Sequence, residues 1–222
     1  MGERGDSLHV TFSGLDGCGK STQIARLSAW LELRGRRPVE FWSRGGYTEG
    51  MLLLKRVARR LGGRRVPSPG SSKRDQALAR PWVAHVWLTL ALLDLCRVYG
   101  LQLRWWRFRG RAVLCDRYLW DTLVDFNMLF PGITVEKKWL WKFLETIALK
   151  PDLAVLFELS PEASDERSIE KRDPWPEPLE ARRRRRIFYD KLVSEGRFRA
   201  FDATRSVDEL EQAIRALLPG AG

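Results

Sequence analysis

A glycine-rich loop near the amino terminus constrains this chain more than any other feature. Residues 14–22 read Gly-Leu-Asp-Gly-Cys-Gly-Lys-Ser-Thr and satisfy the phosphate-loop pattern Gly-x-x-x-x-Gly-Lys-Ser. An apolar run, Leu8 to Ser13, precedes the loop, and helical apolar spacing follows it from Lys20 to Arg34. In that setting backbone N–H groups turn inward around a phosphate, and the helix adds its positive dipole end. The sequence therefore predicts a strand, a phosphate loop and a helix, with ATP as the ligand.

Two further features supply chemistry beside this loop. Lys20 is expected to place its cation on the β- and γ-phosphates, and the Ser21 hydroxyl to ligate Mg²⁺. Residues 112–115 read as a buried strand that delivers Asp116 at its carboxyl end, where open parallel sheets bind ligands. A carboxylate there is suited to organise Mg²⁺-bound water or to hydrogen-bond the attacking group, and Arg117 to hold an anionic acceptor. The structural alternatives are an incidental glycine-rich turn and a salt bridge at a strand end.

Strands alternate with helices along the chain, which is typical of parallel β-α-β units. We therefore expect an α/β P-loop NTPase fold with a five-stranded parallel sheet flanked by helices, in a single domain over residues 1–222. The predicted strands are 8–13, 38–42, 112–115, 152–159 and 198–202. The predicted helices are 20–34, 49–61, 75–99, 101–109, 120–129, 135–149, 161–171, 179–195 and 207–218.

Composition narrows the class of protein. Hydrophobic residues form 44% of the 222 residues, and the formal net charge of +11 suits anionic partners. The three cysteines show no paired spacing, which argues against disulfides and zinc. No run approaches the 20 apolar residues of a membrane span; the longest, Val86 to Leu93, ends at Asp94. We expect a cytoplasmic protein that does not bind nucleic acid.

Five segments together resemble the thymidylate kinases, in that family's order. They are the phosphate loop with its acidic Asp16, Cys115-Asp116-Arg117-Tyr118, Pro151-Asp152-Leu153 through Ser160-Pro161-Glu162, Glu166-Arg167 with Lys171-Arg172-Asp173, and Phe201-Asp202-Ala203. The resemblance extends over residues 8 to 217. The phosphate loop is common to many P-loop proteins, whereas the ordered set is more specific.

The resemblance implies transfer of the γ-phosphoryl group of ATP to a nucleoside monophosphate, with dTMP as the expected acceptor, and a homodimer. The expected catalytic residues are Lys20, Asp16, Asp116, Arg117, Arg167 and Arg172, with Ser21 and Asp116 serving Mg²⁺. The residues expected to hold ATP are Gly14, Leu15, Asp16, Gly17, Cys18, Gly19, Lys20, Ser21, Thr22, Asp202 and Ala203. Arg44, Arg97 and Arg117 are expected at the acceptor. Arg167 and Arg172 belong to a mobile lid over about residues 166–180, whose closure would exclude water.

The acceptor side departs from the family pattern. Asp121 stands where the family has a serine, Val124-Asp125-Phe126 where it has Ala-Tyr-Gln, and Leu93 where an aromatic residue stacks on thymine. Asp121 and Asp125 are four residues apart and would share a helix face in the acceptor site. Two carboxylates favour hydroxyl or amine donors over a second anion, so an acceptor other than dTMP, such as a deoxynucleoside or a cell-surface metabolite, stays open. The alternative is that both are solvated.

Two basic runs allow more than one interpretation. Residues 104–111 read Arg-Trp-Trp-Arg-Phe-Arg-Gly-Arg, a composition compatible with nucleic-acid stacking or an anionic membrane surface. We favour a helix that packs its aromatic side chains on the sheet and leaves its arginines in water. In the run Arg182 to Arg186, Arg184 and Arg186 fall with Tyr189 on matching family positions; one or two arginines would serve ATP, and the rest are expected to be solvated.

A nucleotide-binding protein without catalysis is the rival of a different class. A GTPase switch requires an Asn-Lys-x-Asp guanine motif, which the sequence lacks. A scaffold has no use for lid arginines, yet Arg167 and Arg172 are present. The sequence therefore favours a kinase.

Overall fold

The computed structural model describes residues 7–42, 80–171 and 176–219. Five strands form one parallel sheet in the order β2-β3-β1-β4-β5. They are β1 (His9–Gly14), β2 (Arg37–Trp42), β3 (Arg111–Asp116), β4 (Leu153–Glu158) and β5 (Arg199–Asp202). The predicted five-stranded parallel α/β fold is confirmed.

Eight α-helices flank this sheet within the described residues. They are α1 (Lys20–Leu33), α2 (Pro81–Arg97), α3 (Leu103–Phe108), α4 (Leu119–Leu129), α5 (Trp139–Ile147), α6 (Pro161–Glu170), α7 (Leu179–Ser194) and α8 (Val207–Arg215). A π-helical turn, Val98–Gln102, joins α2 to α3, and a 3₁₀ turn, Val135–Lys137, precedes α5. The predicted helix 49–61 lies outside the described residues.

Alternating strand residues fill a core on each face of the sheet. Val113 and Cys115 of β3 face α2, α4 and α5. Ala112 and Leu114 face the opposite way, toward α1 and α8. Because side chains of a strand alternate between faces, one short apolar strand supports both layers. The near-continuous apolar sequence of β3 is explained by this two-sided burial.

The predicted break between two helices near Gly100 is wrong. Residues 81–108 form one continuous helical segment through the π-helical turn. Gly100 is there for packing, since a Cβ at this position would lie 2.9 Å from Ile147 Cδ1 of α5. At 28 residues this segment is long and apolar enough to cross a membrane by length and composition, but half of its most apolar window is buried inside the protein. It lies against the sheet as a core helix.

The predicted helix 135–149 is interrupted for a local reason. Lys138 has an extended backbone, with φ −73° and ψ 134°, so the 3₁₀ turn cannot continue into α5. Val135 is nevertheless fully buried in the same core cluster as Leu140 and Leu144. Apolar periodicity thus marked the buried face correctly and missed the break in the backbone.

His9 is a core residue of β1. It is fully buried, its Nε2 lies 3.5 Å from Cys115 Sγ, and its ring packs edge-on against Tyr118. Burial lowers its pKa to about 4, which keeps the ring neutral. Cys18, Cys96 and Cys115 are free thiols, as the sequence predicts.

Candidate functional site

The polar residues of the site collect at the carboxyl edge of the sheet. Gly14, Asp116, Glu158 and Asp202 are the last residues of β1, β3, β4 and β5. Ligands of open parallel sheets bind outside this edge. The phosphate loop begins here because β1 ends at Gly14 and α1 begins at Lys20.

Close packing fixes the shape of the phosphate loop. Gly14 has φ 137°, and a Cβ there would lie 2.7 Å from the Phe157 carbonyl oxygen and 2.8 Å from Cys18 Sγ. Gly17 has φ 78°, and its Cβ would lie 3.1 Å from Arg167 Cβ of α6. Both backbone conformations are ones that glycine adopts without strain. A larger residue at either position would displace the strand or the helix that supports the loop.

Lys20 lies folded against this loop and is largely buried. Its Nζ donates to the carbonyl oxygens of Leu15 at 2.8 Å and Gly14 at 3.1 Å. The ammonium group therefore stays inside the concave side of the loop, where incoming phosphate oxygens can replace the carbonyl contacts. Gly19 ends the loop with open space around its Cβ position.

Asp116 carries a buried carboxylate oxygen. Its Oδ1 has no hydrogen-bond partner among the described residues. Burial raises the pKa of this carboxyl, against the opposing influence of Lys20 and Arg117. A buried polar atom without a partner is costly and calls for an explanation. A water molecule of a Mg²⁺ shell would satisfy it.

Arg117 joins the third strand to the phosphate loop. Its Nη2 donates to Asp16 Oδ1 at 2.6 Å, and the side chain is almost completely buried. The backbone has φ 70°, a left-handed conformation that costs an ordinary residue about 1 kcal/mol. Neighbouring carboxylates and Tyr189 raise its pKa well above the ordinary value despite burial. The fold thus holds a permanent cation beside Asp116, which suits an anionic acceptor.

Asp121 lies beneath Arg117 and faces the protein interior. Only 1% of the residue is exposed. Its Oδ2 accepts from Ser13 Oγ at 2.6 Å and from the Tyr118 N–H at 3.0 Å. Its Oδ1 accepts from the Tyr189 hydroxyl at 2.7 Å and lies 3.9 Å from Arg117 Nη1. Both oxygens are engaged within the protein, and the idea that this aspartate is solvated is wrong.

Asp125 is also bound by an arginine. Arg185 Nη1 donates to Asp125 Oδ1 at 2.7 Å, and Glu177 accepts from the same guanidinium at 2.9 Å. The solvated interpretation of Asp125 is therefore wrong too. Each of the two carboxylates on α4 thus lies near an arginine, and each arginine also contacts a second carboxylate, Asp16 for Arg117 and Glu177 for Arg185.

The prediction that most of the arginine run is solvated is wrong for Arg182 and Arg185. Both are almost fully buried, together with Tyr189 and Leu192. These residues follow one another at spacings of three, four and three along α7, which places them on one face. This spacing is visible in the sequence. The charge of the two arginines nevertheless suggested an exposed face, although Tyr189 and Leu192 continue the same buried face.

Arg182 connects α7 to the phosphate loop through one serine. Its Nη1 donates to Ser164 Oγ at 2.5 Å, and Ser164 Oγ donates to the Asp16 carbonyl oxygen at 2.6 Å. Asp16 is therefore held on its main chain from α6 and on its side chain by Arg117. Sequence analysis missed Ser164, since a lone serine on a charged helix carries no recognisable signal.

Arg167 lies where α6, the phosphate loop and the segment after β5 meet. Its guanidinium donates to the carbonyl oxygens of Gly17 at 3.4 Å and Ala203 at 3.3 Å. Asp202 closes its own turn by accepting from the Thr204 N–H at 2.9 Å, which lowers its pKa. Arg167 and Ala203 are thus brought to the loop together.

Other predicted site residues lie apart or outside the described residues. Arg97 of α2 is half exposed and pairs with Asp94 at 3.1 Å; Leu93, four residues earlier, is also exposed. The structure does not bring Arg97 into contact with the loop residues described above. Arg44 and Arg172 lie outside the described residues.

The favoured interpretation of the run 104–111 is partly wrong. Trp106 packs on Phe41, with ring centroids 5.7 Å apart, but Trp105 and Phe108 are exposed. Arg104 and Arg107 are engaged by the Gly100 carbonyl at 2.7 Å and by Ser7 Oγ at 3.0 Å. In this run, aromatic residues therefore lie both packed against the protein and exposed to solvent, and its arginines are not simply free in water.

The site fits ATP and Mg²⁺ by the chemistry of its donors. Loop amides and Lys20 suit phosphate oxygens, and the exposed Ser21 on the first turn of α1 offers a hydroxyl. Among the described residues no group of three or more histidine, cysteine or acidic side chains forms a metal cluster. Mg²⁺ in phosphotransfer sites takes few protein ligands and keeps water and phosphate oxygens. One hydroxyl, together with an Asp116 oxygen that no described residue contacts by a hydrogen bond, agrees with this pattern.

Known proteins are similar to this chain in sequence. The family model described as thymidylate kinase matches residues 106–214. Thymidylate kinase of Leifsonia xyli is 32% identical over 222 aligned residues, covering 96% of this chain and 95% of the relative. That of Symbiobacterium thermophilum is 30% identical, covering 96% and 92%, and that of Bifidobacterium longum 28%, covering 95% and 97%. Sequence, fold and site geometry agree, and this chain belongs to the thymidylate kinase family.

Proposed function

We propose that this protein transfers the γ-phosphoryl group of ATP to the phosphate of dTMP, producing dTDP and ADP. The observation that carries the proposal is the ion pair between Arg117 Nη2 and Asp16 Oδ1 at 2.6 Å. It places a buried cation for an acceptor anion directly on the loop that binds the donor. Phosphoryl transfer depends on such positioning and on neutralising charge that spreads over the moving group.

The donor side follows from the phosphate loop. Loop amides and Lys20 bind the phosphates of ATP, and Ala203 borders its adenine, with Arg167 fixed between Ala203 and Gly17. The lid, about residues 166–180, closes over the phosphates and excludes water. Ser21 and Asp116 would hold Mg²⁺ and its water, and that ion would neutralise charge on the phosphate oxygens.

The acceptor side is compatible with a monophosphate. From the sequence, Asp121 and Asp125 were expected to place two negative charges in the acceptor pocket, which would disfavour an anionic acceptor. Asp121 is paired with Tyr189 and lies beside Arg117, and Asp125 is paired with Arg185. Both carboxylates are thus held within the protein, although Asp16 and Glu177 share the same two arginines. We place the enzyme in nucleotide biosynthesis in the cytoplasm.

Steady-state assays with a panel of acceptors test this function. We expect kcat/KM for dTMP to exceed the values for thymidine, other monophosphates and sugars by about 100-fold or more, because a site that pairs polar groups rejects acceptors lacking them. Preferred turnover of a nucleoside or a sugar would establish the alternative acceptor. Hydrolysis of ATP that does not depend on any acceptor would favour a nucleotide switch.

We further propose a homodimer through an apolar surface formed by α2 and α5. These helices pack against each other, and the Lys138 ammonium lies 3.3 Å from His85 Nε2, which brings the start of α5 beside α2. Trp82 and Val86 of α2 and Trp139 and Phe143 of α5 are all about half exposed or more. Exposed apolar side chains clustered in this way mark interaction surfaces.

Sedimentation velocity tests the dimer. The wild-type protein is expected at twice its chain mass of 25.7 kDa, and Val86→Glu combined with Phe143→Glu is expected at one chain mass, because a buried unpaired charge disrupts an interface. Leu33→Glu is the matched control, since Leu33 is 88% exposed at the end of α1. A wild-type monomer, or a double variant that stays dimeric, would contradict this assignment.

A further inference from the structure

The structure assigns Asp121 a positioning role: it fixes the Arg117 guanidinium beside the phosphate loop through the Tyr189 hydroxyl. The inference rests on the proposed function, in which Arg117 binds the acceptor phosphate. It gives Asp121 a task different from contact with substrate. Three observations support it, concerning burial, hydrogen-bond direction and backbone conformation.

Burial separates Asp121 from the open side of the site. The residue is 1% exposed, and its three short hydrogen bonds come from β1, from the start of α4 and from α7. A carboxylate so enclosed has no free oxygen to offer a substrate. It can still act on the site through the groups that it orients.

The direction of the hydrogen bonds links Asp121 to Arg117. Tyr189 donates its single hydroxyl hydrogen to Asp121 Oδ1 at 2.7 Å. The hydroxyl oxygen is then left to accept from Arg117 Nη1, 3.4 Å away. A carboxylate can only accept, so it forces this orientation. The other end of the guanidinium, Nη2, is then aimed at Asp16.

The backbone of Arg117 needs such support. Its φ of 70° is unfavourable for a residue with a side chain. The main chain is held by the hydrogen bond from the Arg117 N–H to the Phe12 carbonyl at 2.9 Å. The side chain is held by Asp16, Tyr189 and the charge of Asp121. Without the carboxylate, the guanidinium keeps one strong contact and can rotate about it.

The substitution Asp121→Asn tests this arrangement with little change in volume. An amide has only one accepting atom, so the three donors around residue 121 can no longer all be satisfied. Its NH₂ group would compete with Arg117 for the Tyr189 hydroxyl. Tyr189→Phe is a second variant, which keeps the carboxylate and removes only the connecting hydroxyl. Glu195→Gln, at the exposed end of α7, is the matched control.

Two readouts are measured on the full-length protein. The first is hydrogen exchange of the Arg117 guanidinium by ¹⁵N NMR without substrate, with the signal assigned through Arg117→Lys. We expect exchange about tenfold faster in Asp121→Asn and Tyr189→Phe than in the wild-type and control proteins, since a charge-assisted contact is lost. The second is kinetic: KM for dTMP rises about tenfold while KM for ATP stays within about twofold.

The outcomes separate this inference from the proposed function. Unchanged Arg117 exchange in both variants overturns the positioning role. Equal rises in KM for ATP and dTMP overturn it as well, because they indicate general damage to the site. If the wild-type protein does not phosphorylate dTMP, the proposed function fails, and the exchange measurement alone decides whether Asp121 fixes Arg117.

Discussion

Replacing Lys20 by alanine is expected to lower kcat for phosphoryl transfer about 1000-fold, the scale of losing a preorganised electrostatic contact in a transition state. Lys20 Nζ lies inside the phosphate loop, on the Leu15 and Gly14 carbonyl oxygens. No other lysine among the described residues is buried, so none can replace its charge at that point. Single-turnover transfer from labelled ATP measures the effect without interference from product release.

A matched control distinguishes a loss of catalysis from a loss of folding. Lys191→Ala removes a lysine that is 65% exposed on α7, and its kcat is expected to equal that of the wild type. The circular dichroism of the Lys20→Ala variant should match the wild type. A Lys20→Ala protein that is folded and retains near wild-type kcat would refute the assignment of the phosphate loop.

Replacing Asp116 by asparagine is expected to reduce kcat about 100-fold or more, by analogy with the loss of a positioned acid–base or metal-linked group, and to stabilise the protein at neutral pH. Both effects have one origin, the buried Oδ1, which has no hydrogen-bond partner in the part of the chain that the structure describes. An ionised carboxylate in that place costs folding free energy, as its raised pKa indicates. The asparagine carries no charge that burial could penalise.

The contribution of Asp116 to the free energy of unfolding changes with pH in a definite direction. Because the pKa of Asp116 in the folded protein lies above the ordinary value of 3.8, the folded state binds a proton more tightly than the unfolded state. The wild type therefore loses stability as pH rises from 3.8 through the raised pKa. The excess unfolding free energy of Asp116→Asn over the wild type should be largest at pH 7 and shrink toward pH 4.

Thermal unfolding in a chelating buffer between pH 4 and pH 8 measures this difference. Glu40→Gln is the control, since it removes a carboxylate from the exposed face of the edge strand β2, and it should show no comparable pH-dependent gain. A wild type more stable than Asp116→Asn at pH 7 would mean that the carboxylate is stabilised by a protein partner. That outcome would remove the argument for a water or metal contact at Oδ1.

The elements around the site that sequence analysis predicted correctly are set by local rules. A Gly-x-x-x-x-Gly-Lys-Ser loop between an apolar run and an amphipathic helix has one favourable geometry, and the structure confirms strand, loop and helix in that order. Asp116 was found in the same way, because a parallel strand delivers its last residue to the ligand edge. Both predictions required only the spacing of residues close together in the chain.

The parts that it missed depend on contacts between distant segments. Arg185 meets Asp125 across 60 residues, and Tyr189 meets Asp121 across 68. A run of five arginines is ordinarily solvated, and only the position of α7 against α4 and β4 decides which two are buried. Arg97, which the family resemblance placed at the acceptor, pairs with Asp94 on the same helix, and its role at the acceptor stays a prediction.

Gly100 illustrates why the predicted ends of helices were less reliable than their predicted buried faces. A glycine inside a helical pattern weakens the prediction that the helix continues, yet here it admits Ile147 of α5 against the helix. Only tertiary packing distinguishes these uses of glycine. The consequence is functional as well as architectural, because α2 and α5 together form the apolar surface proposed for the dimer.

The transfer of labelled phosphate from [γ-³²P]ATP to dTMP in a single turnover tests the central claim most directly. We expect dTDP labelled in its β-phosphate as the product, formed at a rate that Lys20→Ala lowers about 1000-fold. Label appearing as inorganic phosphate, or in a different acceptor in preference to dTMP, would contradict it.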